Sequence, residues 1–166
     1  MYRVIDDFFK DWKYETEATL NIFKNLSQES LTQKVSPDVR SLGRLAWHIT
    51  ISNPQMLTHA GFKIENFDEN APVPEKLEEI INEYEKNSKL FEKIISENWK
   101  TADLTDEINM YGENWSKGKI LAVILAHQTH HRAQMTIVMR LAGLKVPGVY
   151  GPSKEEWLSV GRQPEE

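Results

Sequence analysis

Four stretches of this 166-residue chain place an apolar residue at every third or fourth position. That period suits a helix burying one face and almost nothing else. The first runs from Val4 to Leu26, with Ile5, Phe8, Phe9, Trp12, Thr16, Thr19, Leu20, Phe23 and Leu26 as inward candidates. Ser41 is the expected N-cap of the second, which carries Leu42, Leu45, Ala46, Trp47, His48 and Ile49. The third is expected to start near Pro74 or Glu75 and carries Leu77, Ile80, Ile81, Tyr84, Ser88, Phe91, Ile94 and Ile95. The fourth and longest spans about Ser116 to Leu141, with Ile120, Ile124, Val138 and Leu141 on one seam together with His127, His131 and Gln134. The expected fold is therefore all-α, a four-helix bundle in a single domain over residues 1–166. A chain of this length can bury a sizeable core.

The connections read as short and irregular. Asn25 to Ser30 loses the period, and Ser36-Pro37-Asp38 marks a turn. Asn53-Pro54 predicts a bend, or an end and restart, one turn beyond His48, because proline has no N–H for the preceding turn. Gly61 to Pro74 reads as the longest loop. Alternation in Thr105 to Tyr111, followed by Gly112-Glu113-Asn114 as a turn, allows a small hairpin before the last long helix.

Composition removes several function classes. The net charge is −5 and no block of like charge runs far, which argues against a nucleic-acid partner. No segment approaches the ~20 apolar residues that span a bilayer, and Met1 to Asp7 lacks a leader's apolar run, so no membrane partner and a cytoplasmic location are expected. There is no cysteine, which removes disulfides, thiolate ligands and a cysteine nucleophile. Any thiol chemistry must use a sulfur brought by a ligand.

Histidine placement carries the functional signal. His127 and His131 lie four apart on the fourth helix, so their side chains start roughly 5–6 Å apart and can converge on one atom. That is chelate spacing; two hydrogen-bonded core histidines are the alternative. If His48 on the second helix faces them, three neutral imidazoles can hold a divalent ion with an open position, as catalytic sites do. His130 could chelate with His127 but shares a stripe with Val123, Ala126, Ala133 and Ile137. His59, before Gly61, is expected to face water. Gln128 stands where a helical zinc peptidase carries its glutamate base, so peptide hydrolysis by that route is unsupported. Arg44, one turn before His48, is a candidate contact for an anionic thiol or carboxylate, with a solvated arginine as the alternative. Trp47, Tyr111 and Trp115 could line a pocket mouth or simply fill the core.

The segments Arg40 to Ile49, Leu125 to Gln134 and Leu141 to Gly151, in this helix order, resemble the DinB/YfiT-like superfamily of small bundle metalloproteins over nearly the whole chain. The resemblance implies that His48, His127 and His131 are the metal triad, with zinc, nickel or another divalent ion bound; His130 is then read as packing against a neighbour or supporting the site from outside. It also implies a small-molecule substrate: some relatives are thiol S-transferases or isomerases using bacillithiol, mycothiol or glutathione, and others are termed metal-dependent hydrolases. A metal-dependent enzyme of the thiol S-transferase type is the leading expectation. A metal-dependent hydrolase and a non-catalytic, stress-associated metal-binding bundle are the alternatives. Surplus apolar surface on the first helix and on the Val123-Ala126-Ala133-Ile137 stripe adds the expectation of a homodimer; the other reading covers that stripe with the 61–74 loop and the tail.

Overall fold

The structure is a computed structural model that describes residues 2–164; Met1, Glu165 and Glu166, part of the expected domain, lie outside the described residues. Its main elements are α1 (Ile5–Lys24), α2 (Leu42–His59), α3 (Leu77–Asn98), β1 (Glu107–Met110), β2 (Glu113–Ser116), α4 (Lys117–Leu141) and α5 (Lys154–Ser159). The four long helices form a bundle in which α2 packs on α3 and α4, and α1 closes against the same two. The expected bundle is thus present, with a fifth short helix added near the C-terminus.

Local chemistry sets the helix ends. The Ser41 hydroxyl accepts from Arg44 N at 3.2 Å, and Ser116 does the same for Lys119 N at 3.2 Å, each satisfying a donor that a helix start leaves free. Helix α3 starts at Leu77, later than expected, and Gln28 of the preceding connection caps it by accepting from Leu77 N at 2.9 Å. Between α1 and α2 a 3-10 turn, Glu29–Thr32, presses onto α2 at Gly43. A Cβ there would meet the Leu31 carbonyl at 3.1 Å, so glycine allows a close approach that any larger residue would push apart by a few tenths of an ångström.

Two expectations are corrected. Of the two outcomes expected at Pro54, the end and restart does not occur: α2 continues through the proline. The carbonyl that proline leaves without a helical donor is that of Thr50, and Asn87 Nδ2 of α3 donates to it at 3.2 Å. The hairpin exists, pairing Glu107 with Ser116 and Met110 with Glu113, but its turn is Tyr111-Gly112; Glu113 and Asn114 belong to the second strand. Both turn residues have positive φ, 56° and 85°, as a two-residue hairpin of this hand requires.

The core has two apolar halves. One gathers Ile22, Leu42, Ile49, Ile80, Met135 and Met139, and the other Phe8, Trp12, Leu57, Phe91, Leu121 and Ile124. Between them every long helix contributes buried polar residues: Glu15 and Thr19 from α1, Asn53 from α2, Asn87 and Ser88 from α3, Gln128 and Arg132 from α4. Of the seam expected on α4, Ile120, Ile124, His131 and Val138 are buried and His127 is half-buried, but the inward face is wider than expected and ends sooner. Gln134 and Leu141 are exposed, while Gln128 and Arg132 are buried because they have partners. Tyr84 OH donates to Gln128 Oε1 at 2.7 Å, and Arg132 bonds Glu15 Oε2 at 2.5 Å and Thr19 Oγ1 at 3.0 Å.

Candidate metal centre

Two neighbouring helices assemble the site at the level of this polar layer. His127 and His131 lie one turn apart on α4, and His48 faces them from α2. The ring centroids are 5.0 Å apart for His48 and His127, and 4.5 Å for His48 and His131 and for His127 and His131. One nitrogen from each ring lies within 4.8 Å of the other two. Tetrahedral ligation at Zn–N distances near 2.0–2.1 Å needs donors about 3.3 Å apart, so the rings are gathered, but within a span wider than a filled site requires.

The donors are in the right protonation state. Burial, the Arg40 charge and the neighbouring rings push the His48 pKa down to about 3. Burial and the other histidines hold His127 at about 4, and burial lowers His131 as well. All three are neutral at neutral pH, as ligands must be. His131 Nδ1 lies 2.8 Å from Gln134 Oε1, a carbonyl oxygen that can only accept, so the proton sits on Nδ1 and the Nε2 lone pair is free for a cation. The Gln134 amide in turn donates to His130 Nε2 at 3.2 Å. His130 is thus an exposed residue linked to His131 through Gln134. His127 Nδ1 is buried without a hydrogen-bond partner among the described residues. Three neutral imidazoles with an orphaned nitrogen among them fit a divalent ion.

Among the described residues the charges that shift the three rings come from arginines and from histidines, His130 included. Gln128 turns away from the triad into the α3 side of the core, so it neither ligates nor replaces a peptidase glutamate. Arg44 is exposed on the first turn of α2, and its charge reaches His48. The stronger influence is Arg40, whose charge reaches all three rings; sequence reasoning passed over it because it precedes the helix and belongs to no periodic face.

The other aromatic and histidine candidates lie elsewhere. Trp47 is buried and donates through Nε1 to the Ala71 carbonyl at 3.1 Å, pinning the 61–74 loop rather than lining the site. Exposed His59 packs its ring 4.3 Å from that of Tyr111, which in turn is 5.8 Å from Trp115. That cluster is eleven residues along α2 from His48, about 16 Å at helical rise. The 61–74 loop packs through Phe67, Ala71 and Val73 on the apolar half that holds Trp47, and Ala126, Ala133 and Ile137 stay exposed. Among the described residues no helix is long and apolar enough to cross a membrane.

Comparison with known proteins bears on the family and the fold. The family model described as the DinB family matches residues 1–166. An uncharacterized protein, YrdA of Bacillus subtilis (strain 168), is 36% identical over 161 residues, covering 97% of this chain and 96% of that one. The crystal structure of a DinB-like protein from Bacillus cereus ATCC 10987 is 39% identical, covers 90% of this chain and 100% of its own, and superposes with a TM-score of 0.85. A second DinB-like structure, YjoA of Bacillus subtilis, is 15% identical over 86% of this chain and 97% of its own, with a TM-score of 0.67, and shares the fold.

Proposed function

The chain belongs to the DinB family, and from that membership we propose that it is a divalent-metal-dependent enzyme that transfers a low-molecular-weight thiol, such as bacillithiol, to a small electrophile. The observation that carries the reading is the convergence of three neutral imidazoles, fewer than the four ligands of a closed structural site. Zinc or nickel are the ions we assign to it. A divalent ion there supplies Lewis acidity sufficient to bring a thiol to thiolate, or water to hydroxide, near neutral pH. In the transfer, the thiol sulfur forms a bond to an electrophilic carbon of the second substrate, the leaving group departs with its electron pair, and the thiol proton goes to solvent.

The chain's own residues supply the setting. His48, His127 and His131 hold the centre, Gln134 fixes the tautomer of His131, and Arg44 offers a cation to the acidic groups of the thiol. Cationic surroundings favour an anionic nucleophile, and among the described residues no Asp or Glu joins the three histidines in their cluster. That asymmetry puts thiol transfer ahead of the second reading, metal-dependent hydrolysis, which needs a base beside the activated water. A non-catalytic metal-binding bundle is the outcome if neither reaction occurs. The setting we propose is the cytoplasm.

Metal analysis followed by a conjugation assay with bacillithiol and a chlorodinitrobenzene tests the proposal. His127→Ala should lose the ion and all turnover above buffer, whereas His59→Ala, outside the site, should keep both within about twofold. Conjugation at equal rates with wild type, His127→Ala and buffer rejects the transferase. Assembly is a separate proposal: of the expected stripe, exposed Ala126 and Ala133 are expected to pair with a second copy, Val123 packing partly into the core and Ile137 belonging to the groove beside α4. Light scattering at micromolar concentration should give twice 19.3 kDa, and a monomer mass ends the idea.

A further inference from the structure

Beside the triad lies a groove of about 600 Å³, within the span of roughly 300–1,000 Å³ typical of small-molecule sites. It is bounded by the segment leading into α2 and by the outer turns of α4. Two of its wall residues tie it to the metal centre: Leu45 lies one turn before His48, and Gln134 holds His131. The rest of the wall is mainly apolar, from Val35, Val39, Ile137 and Val138. The chain leaves much of this surface uncovered, with Ile137 60% and Val35 54% exposed.

One cation stands on that wall. Arg40 is exposed and makes no ion pair or side-chain hydrogen bond among the described residues. Asp38 lies on the same wall and does not pair with it. Arg40 directly precedes Ser41, the N-cap of α2, and shares the wall with Leu45, which places the groove's charged end next to the first turns of the helix that carries His48.

We propose that this groove binds an organic carboxylate with an apolar body, the body lying against Val35, Leu45 and Ile137 and the acid group pairing with Arg40. The ligand class follows from the two surfaces. An apolar trough accepts an alkyl or aryl body by area, and a free guanidinium at its end takes a carboxylate through two parallel N–H bonds. A neutral molecule of the same shape leaves Arg40 without its partner, and a small hydrophilic acid leaves the trough unfilled. This occupant is the second substrate in the proposed transfer, distinct from the thiol that Arg44 serves. Its role in the reaction rests on the metal-centre reading, but its binding does not require the ion.

Titration calorimetry with octanoate and 1-octanol, on zinc-loaded and on EDTA-treated protein of known metal content, tests the site. Octanoate should bind both forms, and octanol should bind at least about tenfold more weakly, the scale of one charged hydrogen-bonded pair. Arg40→Gln should bring octanoate down to the octanol level. Lys93→Gln, which removes an equal charge from α3, should change nothing, and Ile137→Asp should exclude both probes. Octanoate affinity that survives Arg40→Gln overturns the proposal, as does affinity that falls with Arg44→Gln instead. Binding that vanishes with EDTA and ignores Arg40 also overturns it, because the carboxylate would then sit on the ion. If the protein takes up no zinc, the metal-centre reading fails and the groove is judged on the EDTA-treated arm alone.

Discussion

His131 illustrates how much one side chain is asked to do. It is buried at 6% exposure, it must stay neutral, and its two nitrogens need different partners. Burial keeps the ring neutral, while Gln134, one turn on, accepts the Nδ1–H bond and so fixes the tautomer, raising the ring's pKa somewhat as it does; a glutamate there would favour the charged ring more strongly. The same burial that readies the three rings for a cation makes them sensitive to acid when no cation is bound. His48 and His127 titrate near 3 and 4 in the folded chain, against roughly 6.5 in an unfolded one. Below that unfolded value the unfolded chain holds more protons, so stability falls as pH falls. The contribution is complete above about pH 6.5 and is lost progressively toward pH 4 and then 3. Thermal melts of EDTA-treated protein between pH 7.5 and 5 should therefore show a falling midpoint, and the His48→Asn, His127→Asn double variant a shallower fall. An identical slope in both proteins would assign the acid sensitivity to other groups.

At the scale of the elements, the bond between Asn87 and the Thr50 carbonyl explains why α2 runs through Pro54. Removing the amide by Asn87→Ala leaves a buried carbonyl unsatisfied, at a cost of about 1–3 kcal/mol. Replacing Pro54 with Ala restores a helical N–H to that carbonyl, so Asn87→Ala should cost less in the Pro54→Ala background. A double-mutant cycle read by urea unfolding checks the coupling, and strictly additive effects would mean the two residues act independently. This is also where the sequence stopped being legible. Apolar periodicity located all four long helices, because burial of an apolar face is what that period records. It could not tell that Asn87 on a distant helix would serve Thr50, nor that Gln128 and Arg132 would be core residues. Buried polar groups leave no periodic signal unless their partners are known. The phase was present in outline, since Leu125, Gln128, Arg132, Met135 and Met139 share one face, but only Tyr84 and Glu15 make that face tolerable. The triad was legible for a different reason: chelate spacing is local, and the bundle then brought one further histidine to it. Arg40, outside every helix, had no pattern to betray it.

Across the whole molecule the two apolar halves are joined through a polar middle, and this middle bears on the metal. Arg132, adjacent to His131, binds Glu15 of α1 and the hydroxyl of Tyr150, whose oxygen also donates to Glu15 at 2.5 Å, so the tail after α4 is fastened at the level of the triad. The site is consequently supported by α1, α2, α4 and the tail together, although only α2 and α4 supply ligands. A cation that binds the folded chain alone then stabilises the bundle as a unit, because the unfolded chain has no preformed triad. At a free ion concentration one hundred times Kd the gain is about 2.7 kcal/mol, which for a chain of this length is a rise in Tm of roughly 5–10 °C. Addition of zinc or nickel to EDTA-treated protein should produce that rise at pH 7.5, and EDTA should reverse it. Acidification should shrink it, since protons compete for the same nitrogens and are favoured as pH falls. His127→Ala removes one of three ligands and should leave Tm insensitive to the ion. A rise of equal size in wild type and His127→Ala would place the bound metal somewhere other than the triad.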